Sequence, residues 1–228
     1  LEGGLAEGAA VMSWSDMKGG FEAVGLGHEV VMTPKQFVYL DYTQGDYSVE
    51  NKIYADLSLK KAYSFEPVPD FVLDPELILG GQGNLWTEEV PNLSFAYYMT
   101  YPRAMAISES LWSAKENKNW ENFLQRTESH FTRFDQRGIN VAKTIYEPEV
   151  RVYKEGRKLM CELNNSYADI EMYYTIDNTY PVTFGKKYEG PFELPAGNYS
   201  LRVQSFRDGK AIERLLQIPR KDLESRVK

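Results

Sequence analysis

Three times in its first 145 or so residues, this chain runs from a short apolar strand through a turn into a helix. After Pro148 it never does so again. That alternation demands parallel strands covered by helices, an α/β arrangement, and its loss marks a domain boundary. The first strand is Ala9-Ala10-Val11-Met12-Ser13-Trp14, and residues 19–27 make a short helix closed by glycine. The second begins at His28 and resumes, after Thr33-Pro34, through Phe37-Val38-Tyr39-Leu40-Asp41-Tyr42. A polar, irregular region at 44–56, long enough to be a functional loop, leads to a short helix at 57–63. The third strand, Leu77-Ile78-Leu79, reads as buried and opens into Gly80, Gly81 and Gly83. Leu85-Trp86-Thr87-Glu88 follows, then a helical segment carrying Tyr97, Met99, Ile107 and Leu111. Trp120, Phe123, Leu124, Thr127, Phe131 and Phe134 then recur at helical spacing, predicting an amphipathic helix of about 18 residues that Gly138 ends. That aromatic stripe is core packing.

From Val150 onward period-2 strands take over, at Arg151-Val152-Tyr153 and at 158–163, 170–176, 199–206 and 211–218. Turn signals such as Glu155-Gly156, Asp177-Asn178 and Asp208-Gly209 separate them. This predicts a small antiparallel all-β sandwich of about 75 residues, with Cys161 filling a strand core and a charged, frayed tail from Arg220. The expected domains are 1–146 and 147–228. An eight-fold barrel needs about 200 residues or more, so three units amount to the portion left when its front is missing.

Composition narrows the function. A net charge of −7, with no basic cluster interleaved with aromatics, argues against nucleic acid and anionic membranes as partners. One cysteine and two histidines exclude an internal disulfide and a Cys-based metal centre, and disfavour a His-rich site or a Ser-His-Asp triad. The reading calls for no metal and no cofactor. Aromatic residues make up 14% of the chain, which suits a core and also suits carbohydrate handling. In the third unit an indole and a carboxylate, Trp86 and Glu88, stand two residues apart beyond the strand end, where β/α units carry their chemistry. The indole face stacks on sugar C–H groups, and the carboxylate accepts hydrogen bonds from hydroxyls.

Several motifs together resemble family-20 glycoside hydrolases, the β-N-acetylhexosaminidases. They are Val11-Met12-Ser13-Trp14, Gly27-His28-Glu29-Val30-Val31-Met32-Thr33-Pro34, Tyr39-Leu40-Asp41-Tyr42, and Gly80-Gly81-Gln82-Gly83-Asn84-Leu85-Trp86-Thr87-Glu88. Tyr101-Pro102-Arg103-Ala104-Met105-Ala106 and Glu109-Ser110-Leu111-Trp112-Ser113 continue the likeness. Tyr173-Tyr174-Thr175-Ile176-Asp177 and Tyr188-Glu189-Gly190-Pro191-Phe192 are similar to the small β domain that follows the barrel in bacterial members.

The resemblance implies about strands 6–8 of a TIM (β/α)8 barrel followed by the sandwich. It implies removal of terminal N-acetylhexosamine from glycans by substrate assistance, in which the 2-acetamido oxygen attacks the anomeric carbon. Tyr39 would be the catalytic residue, donating its hydroxyl to the acetamido carbonyl. Trp14 would wall the pocket, Asp41 would accept from hydroxyls on the O4/O6 side, Trp86 would form the floor, and Glu88 would accept from O4. The family's adjacent Asp-Glu pair belongs upstream of every motif here, so this chain is expected to hold half of the sugar pocket and to be inactive alone. An unpaired strand edge would then self-associate or wait for the N-terminal part of the barrel. Localisation in the periplasm or outside the cell follows from the same likeness.

Structural alternatives accompany each role. Trp14 and Trp86 could be strand-end core aromatics, Tyr39 could pack, and Asp41 could cap a turn. Glu88 could serve a helix N-terminus, the more natural place for Glu89. His28 is a hydrogen-bonded loop residue, Met12 and Met32 are core, Trp112 and Trp120 pack helices, and Asp46 and Tyr47 are solvated. Two rival functions remain: a non-catalytic carbohydrate-binding protein, or a glycosidase of another kind using Asp41 and Glu88 as its carboxylate pair.

Overall fold

The computed structural model describes residues 3–227. It separates into two compact units. One takes in the chain up to Gln44 together with Lys52–Ala142; the other combines Gly45–Asn51 with the chain from Lys143 onward.

The first unit is built on three parallel strands, β1 (Val11–Ser13), β2 (Val30–Met32) and β3 (Ile78–Gly81), in that spatial order. Helix α1 (Lys18–Gly25) joins β1 to β2, and Gly27 at φ +79° turns the chain out of it. Residues 37–42 do not form the extended strand that their apolar and aromatic content predicts. Pro34, with φ fixed at −66°, starts the single turn α2 (Lys35–Val38). Tyr39 then touches the sheet only through an isolated parallel bridge to Asn84, where Leu40 N–H donates to Asn84 O at 2.6 Å. Helix α3 (Leu59–Tyr63) starts at Ser58, whose hydroxyl accepts from Lys61 N–H.

Strand β3 ends in a close approach. A side chain at Gly81 would come within 2.8 Å of Leu111 and 2.9 Å of the Met32 carbonyl, so only glycine fits there. Its strand is less buried than its sequence suggests, for Ile78 is enclosed while Leu79 is exposed. In β1, similarly, only Ser13 is buried. Among the described residues both outer strands of this sheet keep one unpaired edge.

The expected single helix beyond Trp86 is two helices, α4 (Leu93–Thr100) and α5 (Arg103–Trp112). Pro102 between them has no N–H to continue the ladder. Neither Glu88 nor Glu89 sits in the first turn of α4, whose cap is Asn92 accepting from Phe95 N–H at 2.9 Å. Trp112 does not pack a helix: it is 89% exposed. Helix α6 (Trp120–Gln136) follows the predicted stripe, burying Phe123, Leu124, Thr127 and Phe131, and Gly138 at φ +64° ends it.

The second unit holds strands β4 (Glu149–Glu155), β5 (Lys158–Asn164) and β6 (Glu171–Thr175), then the short helix α7 (Pro181–Phe184). Strands β7 (Lys186–Lys187), β8 (Phe192–Glu193), β9 (Ser200–Arg207) and β10 (Lys210–Pro219) complete it. They form one sheet in the order β10-β9-β6-β7 and another in the order β4-β5-β8. Asp208 and Gly209, both at positive φ, make the two-residue turn of the β9–β10 hairpin. Val152, Cys161 and Leu163 from one sheet and Leu201, Val203, Leu216 and Ile218 from the other share one apolar core.

The tail is not frayed. Helix α8 (Arg220–Ser225) buries Leu223, and Arg226 grips Asp46 with both guanidinium nitrogens at 2.6 and 2.8 Å. Asp46 is therefore an ion-pair partner rather than a solvated loop residue. Arg214 binds Glu50 at 2.7 Å and Glu147 at 2.5 Å, fastening the same short segment.

Burial alone would raise the Asp46 pKa, but Arg226 and the Ser48 N–H outweigh it and hold the carboxyl below its ordinary 3.8. A depressed folded pKa contributes stability that is fully present above the unfolded value and lost as pH falls through the folded one. Denaturant titrations at pH 7 and pH 3 should therefore show a larger acid-induced loss in the parent chain than in Asp46→Asn. Equal losses would rule out the pair as a source of acid sensitivity. Among the described residues no helix is long and apolar enough to cross a membrane, and no group of His, Cys, Asp and Glu could hold a metal ion.

Candidate active site

At the C-terminal ends of the three parallel strands lies an open cleft of about 800 Å³. Trp14, Tyr39, Asp41, Trp86 and Glu88 all line it. Each reaches it by a different route. Trp14 follows β1 directly and is 56% exposed, and Trp86, beyond the β3 glycines, is 51% exposed. Neither indole is a core aromatic. Tyr39 is placed by its bridge to Asn84, with its ring 6.3 Å from Trp86 and 5.8 Å from Tyr42. Glu88 is exposed at the rim.

Asp41 differs from the rest. Only 4% of it is exposed, and its Oδ1 finds no hydrogen-bond partner in the fold. Burial raises its pKa, opposed by the backbone N–H groups of Asp41 and Trp86 and by the Arg103 charge, while Glu88 pushes it further up. Asp41 thus lines the cleft with a carboxylate of which one enclosed oxygen is left without a donor by the fold.

Beneath this wall lies Arg103, which is fully buried at 0% exposure. Its Nη1 donates to the carbonyls of Tyr42 and Leu57 at 2.7 and 3.1 Å, and its Nη2 to those of Leu40 and Met99, both at 2.6 Å. Leu40 and Tyr42 flank Asp41, so one guanidinium fixes the backbone on both sides of the carboxylate. The motif containing Arg103 is visible in the sequence, and an arginine amid alanines and methionine hints at burial, but its partners lie up to 63 residues away.

The sequence assigns the other lining residues no role in a site. Met12, expected in the core, is half exposed on the cleft. Lys35, Tyr42, Tyr54, Gln82 and Asn84 also face it, with Gln82 Nε2 donating to Asn84 Oδ1 at 2.6 Å. His28 stays outside, its Nδ1 at 2.9 Å from Ala9 O, as befits a loop residue.

The model of the glycosyl hydrolase family 20 catalytic domain matches residues 2–115, half of the chain. The chain belongs to glycosyl hydrolase family 20. An Fn3-associated model matches residues 161–217. A β-hexosaminidase of Porphyromonas gingivalis is 33% identical over 203 residues, covering 85% of this chain and 26% of that protein. A β-N-acetylhexosaminidase of Cellulomonas fimi is 28% identical, covering 59% of the chain and 28% of its own length. Among solved structures, a family-20 exo-β-N-acetylglucosaminidase from Vibrio harveyi in complex with N-acetylglucosamine matches at 34% identity and a TM-score of 0.55. That match covers 59% of this chain and 22% of the Vibrio one. The chain thus spans about a quarter of the length of the relatives it matches.

Proposed function

We propose that this family-20 chain supplies about strands 6–8 of a TIM barrel, followed in sequence by a β-sandwich, to a β-N-acetylhexosaminidase acting on N-acetylhexosamine-containing glycans. Its cleft then contributes half of the terminal-sugar pocket, and an Asp-Glu pair upstream in the full protein supplies the general acid. The observation that carries this reading is the convergence on one cleft of two exposed indoles, a phenol and a buried carboxylate with one oxygen left without a donor.

In this reading Trp86 and Trp14 stack on apolar sugar faces, and Asp41 and Glu88 accept from hydroxyls on the O4/O6 side. The Tyr39 hydroxyl donates to the acetamido carbonyl and holds that oxygen for attack on the anomeric carbon. The attack forms the oxygen–carbon bond as the glycosidic bond breaks; the upstream acid protonates the leaving oxygen, and water then opens the cyclic intermediate with net retention. The unpaired edges of β1 and β3 accept the remaining barrel strands or, in their absence, a second copy of the chain. By family likeness we also place the full protein in the periplasm or outside the cell, as a proposal.

The test is hydrolysis of an aryl N-acetyl-β-glucosaminide. The 228-residue chain and its Glu88→Gln variant should both be inactive, and joining the chain to its acid-bearing upstream sequence should give turnover. Turnover by the chain alone, abolished in Glu88→Gln, would mean that the acid lies within these residues.

A further inference from the structure

Tyr54 lines the cleft in a backbone conformation that its residue type resists. It sits at φ +48°, in the left-handed region, one of four non-glycine residues at positive φ among the described residues. Burial, then the charges of Glu88, Glu89 and Asp41, raise its pKa, in keeping with a phenol that faces those carboxylates. Thr43 holds both of its neighbours. The Thr43 Oγ1 accepts from Ile53 N–H at 3.0 Å, and the Thr43 N–H donates to Ala55 O at 2.9 Å. The chain between Thr43 and Ile53 is tied elsewhere, for it passes into the second unit at Gly45 and returns to the first at Lys52.

The second unit holds that segment by charge and by packing. Val49 packs against its apolar core, and Asp46 is bound by Arg226. Arg214 binds Glu50 and Glu147, whose side chains are both nearly enclosed. Such carboxylates lose their arginine only at large cost, so Glu50 stays where Arg214 is. A β-bulge aims Arg214: the β9–β10 register shifts between Ile212 and Leu216, and Glu213 takes φ +56°. The buried Gln204 secures the bulge, its Nε2 donating to the carbonyls of Ile212 and Glu213 at 2.6 and 3.2 Å. A Cβ added at Gly45 would meet Glu50 Oε1 and, at 2.8 Å, Arg214 Nη2, so glycine lets the main chain close over the ion pairs.

We propose that Arg214 is a positioning residue for the sugar cleft: by tying residues 45–51 to the second unit, it keeps Tyr54 turned into the cleft. The proposal rests on the sugar-binding reading above and adds the second unit to the machinery of that site. A loop released from the second unit samples many conformations, and a left-handed Tyr54 is a minority among them. A sugar then meets a competent cleft in only a fraction of the molecules, and its apparent affinity falls by that fraction.

Amide hydrogen exchange and a sugar titration, both followed by NMR on the 228-residue chain, test it. In Arg214→Met the Ile53 amide should exchange about tenfold faster, while the amides of α6 and β9 keep their protection and show both units folded. Glu50→Gln, which spares the Arg214–Glu147 pair, should act in the same direction, and it carries the test should Arg214→Met unfold the second unit. Arg214→Lys, with a single ammonium for two carboxylates, should restore part of the protection. The dissociation constant for N-acetylglucosamine should rise about fivefold in Arg214→Met. In a Tyr54→Ala background the same change should leave it unaltered, because the route through Tyr54 is gone. Unchanged Ile53 exchange in both variants, unchanged affinity beside quickened exchange, or an affinity loss that survives in Tyr54→Ala would each overturn the proposal while leaving the sugar site standing. Failure of the parent chain to bind N-acetylglucosamine would remove the sugar-binding reading and this proposal with it.

Discussion

Arg103→Met should leave the first unit without a cooperative unfolding transition. The side chain is fully buried and donates to four carbonyls contributed by residues 40, 42, 57 and 99. Methionine replaces only the aliphatic stem and supplies no donor, so four buried acceptors lose their partner at once. Each orphaned acceptor costs about 1–3 kcal/mol, and bonds to a charged group lie at the upper end. Even with partial relaxation the loss is about 4 kcal/mol or more, close to the entire stability of a typical domain. Tryptophan fluorescence isolates the effect, because all four tryptophans, at positions 14, 86, 112 and 120, lie in the first unit. A urea titration of Arg103→Met should show no sigmoidal step, and Arg103→Lys, with three donors, should restore part of it. A midpoint within about 1 kcal/mol of the parent would mean that the four carbonyls find other donors, and the guanidinium would lose its place as the keystone beneath Asp41.

Arg103 also marks where sequence reasoning stops. Periodicity revealed what depends on neighbours along the chain. The stripe from Trp120 to Phe134 is helix α6, the strands after Val150 are β4, β5, β6, β9 and β10, and the glycines after Leu79 supply a positive φ at Gly80 and a close approach at Gly81. What escaped it depends on partners far away. The α2 turn replaces a predicted strand because Pro34 and the Asn84 bridge govern that stretch. The charged tail is ordered because Arg226 meets Asp46 across 180 residues. Met12 and Trp112 are apolar by composition yet exposed, and a single sequence carries no sign of which apolar face meets solvent or ligand.

The candidate site divides the same way. Spacing alone singled out Trp86 and Glu88. Trp14, Tyr39 and Asp41 were legible through family likeness, and the fold places all five around one cleft. Lys35, Tyr42 and Tyr54 reach that cleft through turns and loops whose course no periodic pattern records.

Tyr39→Phe separates chemistry from binding in the proposed reaction. The change removes one oxygen from a residue held by its backbone bridge to Asn84 and by ring contacts with Tyr42 and Trp86. All of those survive in phenylalanine, so folding stability should change by less than about 1 kcal/mol. The acetamido oxygen gains positive charge as it attacks and must be aligned with the anomeric carbon before it can do so. The Tyr39 hydroxyl therefore acts by holding the oxygen in a near-attack alignment, since a bond donated to an oxygen that is losing electron density does not itself strengthen in the transition state. In the full protein bearing the upstream acid, Tyr39→Phe should lower kcat by about 10²-fold, the cost of losing the near-attack alignment, with KM changed little. Trp86→Ala should do the reverse in emphasis, raising KM through loss of the stacking floor. A Tyr39→Phe effect confined to KM would assign the hydroxyl to ground-state binding, and a loss in kcat below about tenfold would take Tyr39 out of the catalytic step. The split between kcat and KM therefore decides whether this cleft positions a nucleophile or only holds a sugar.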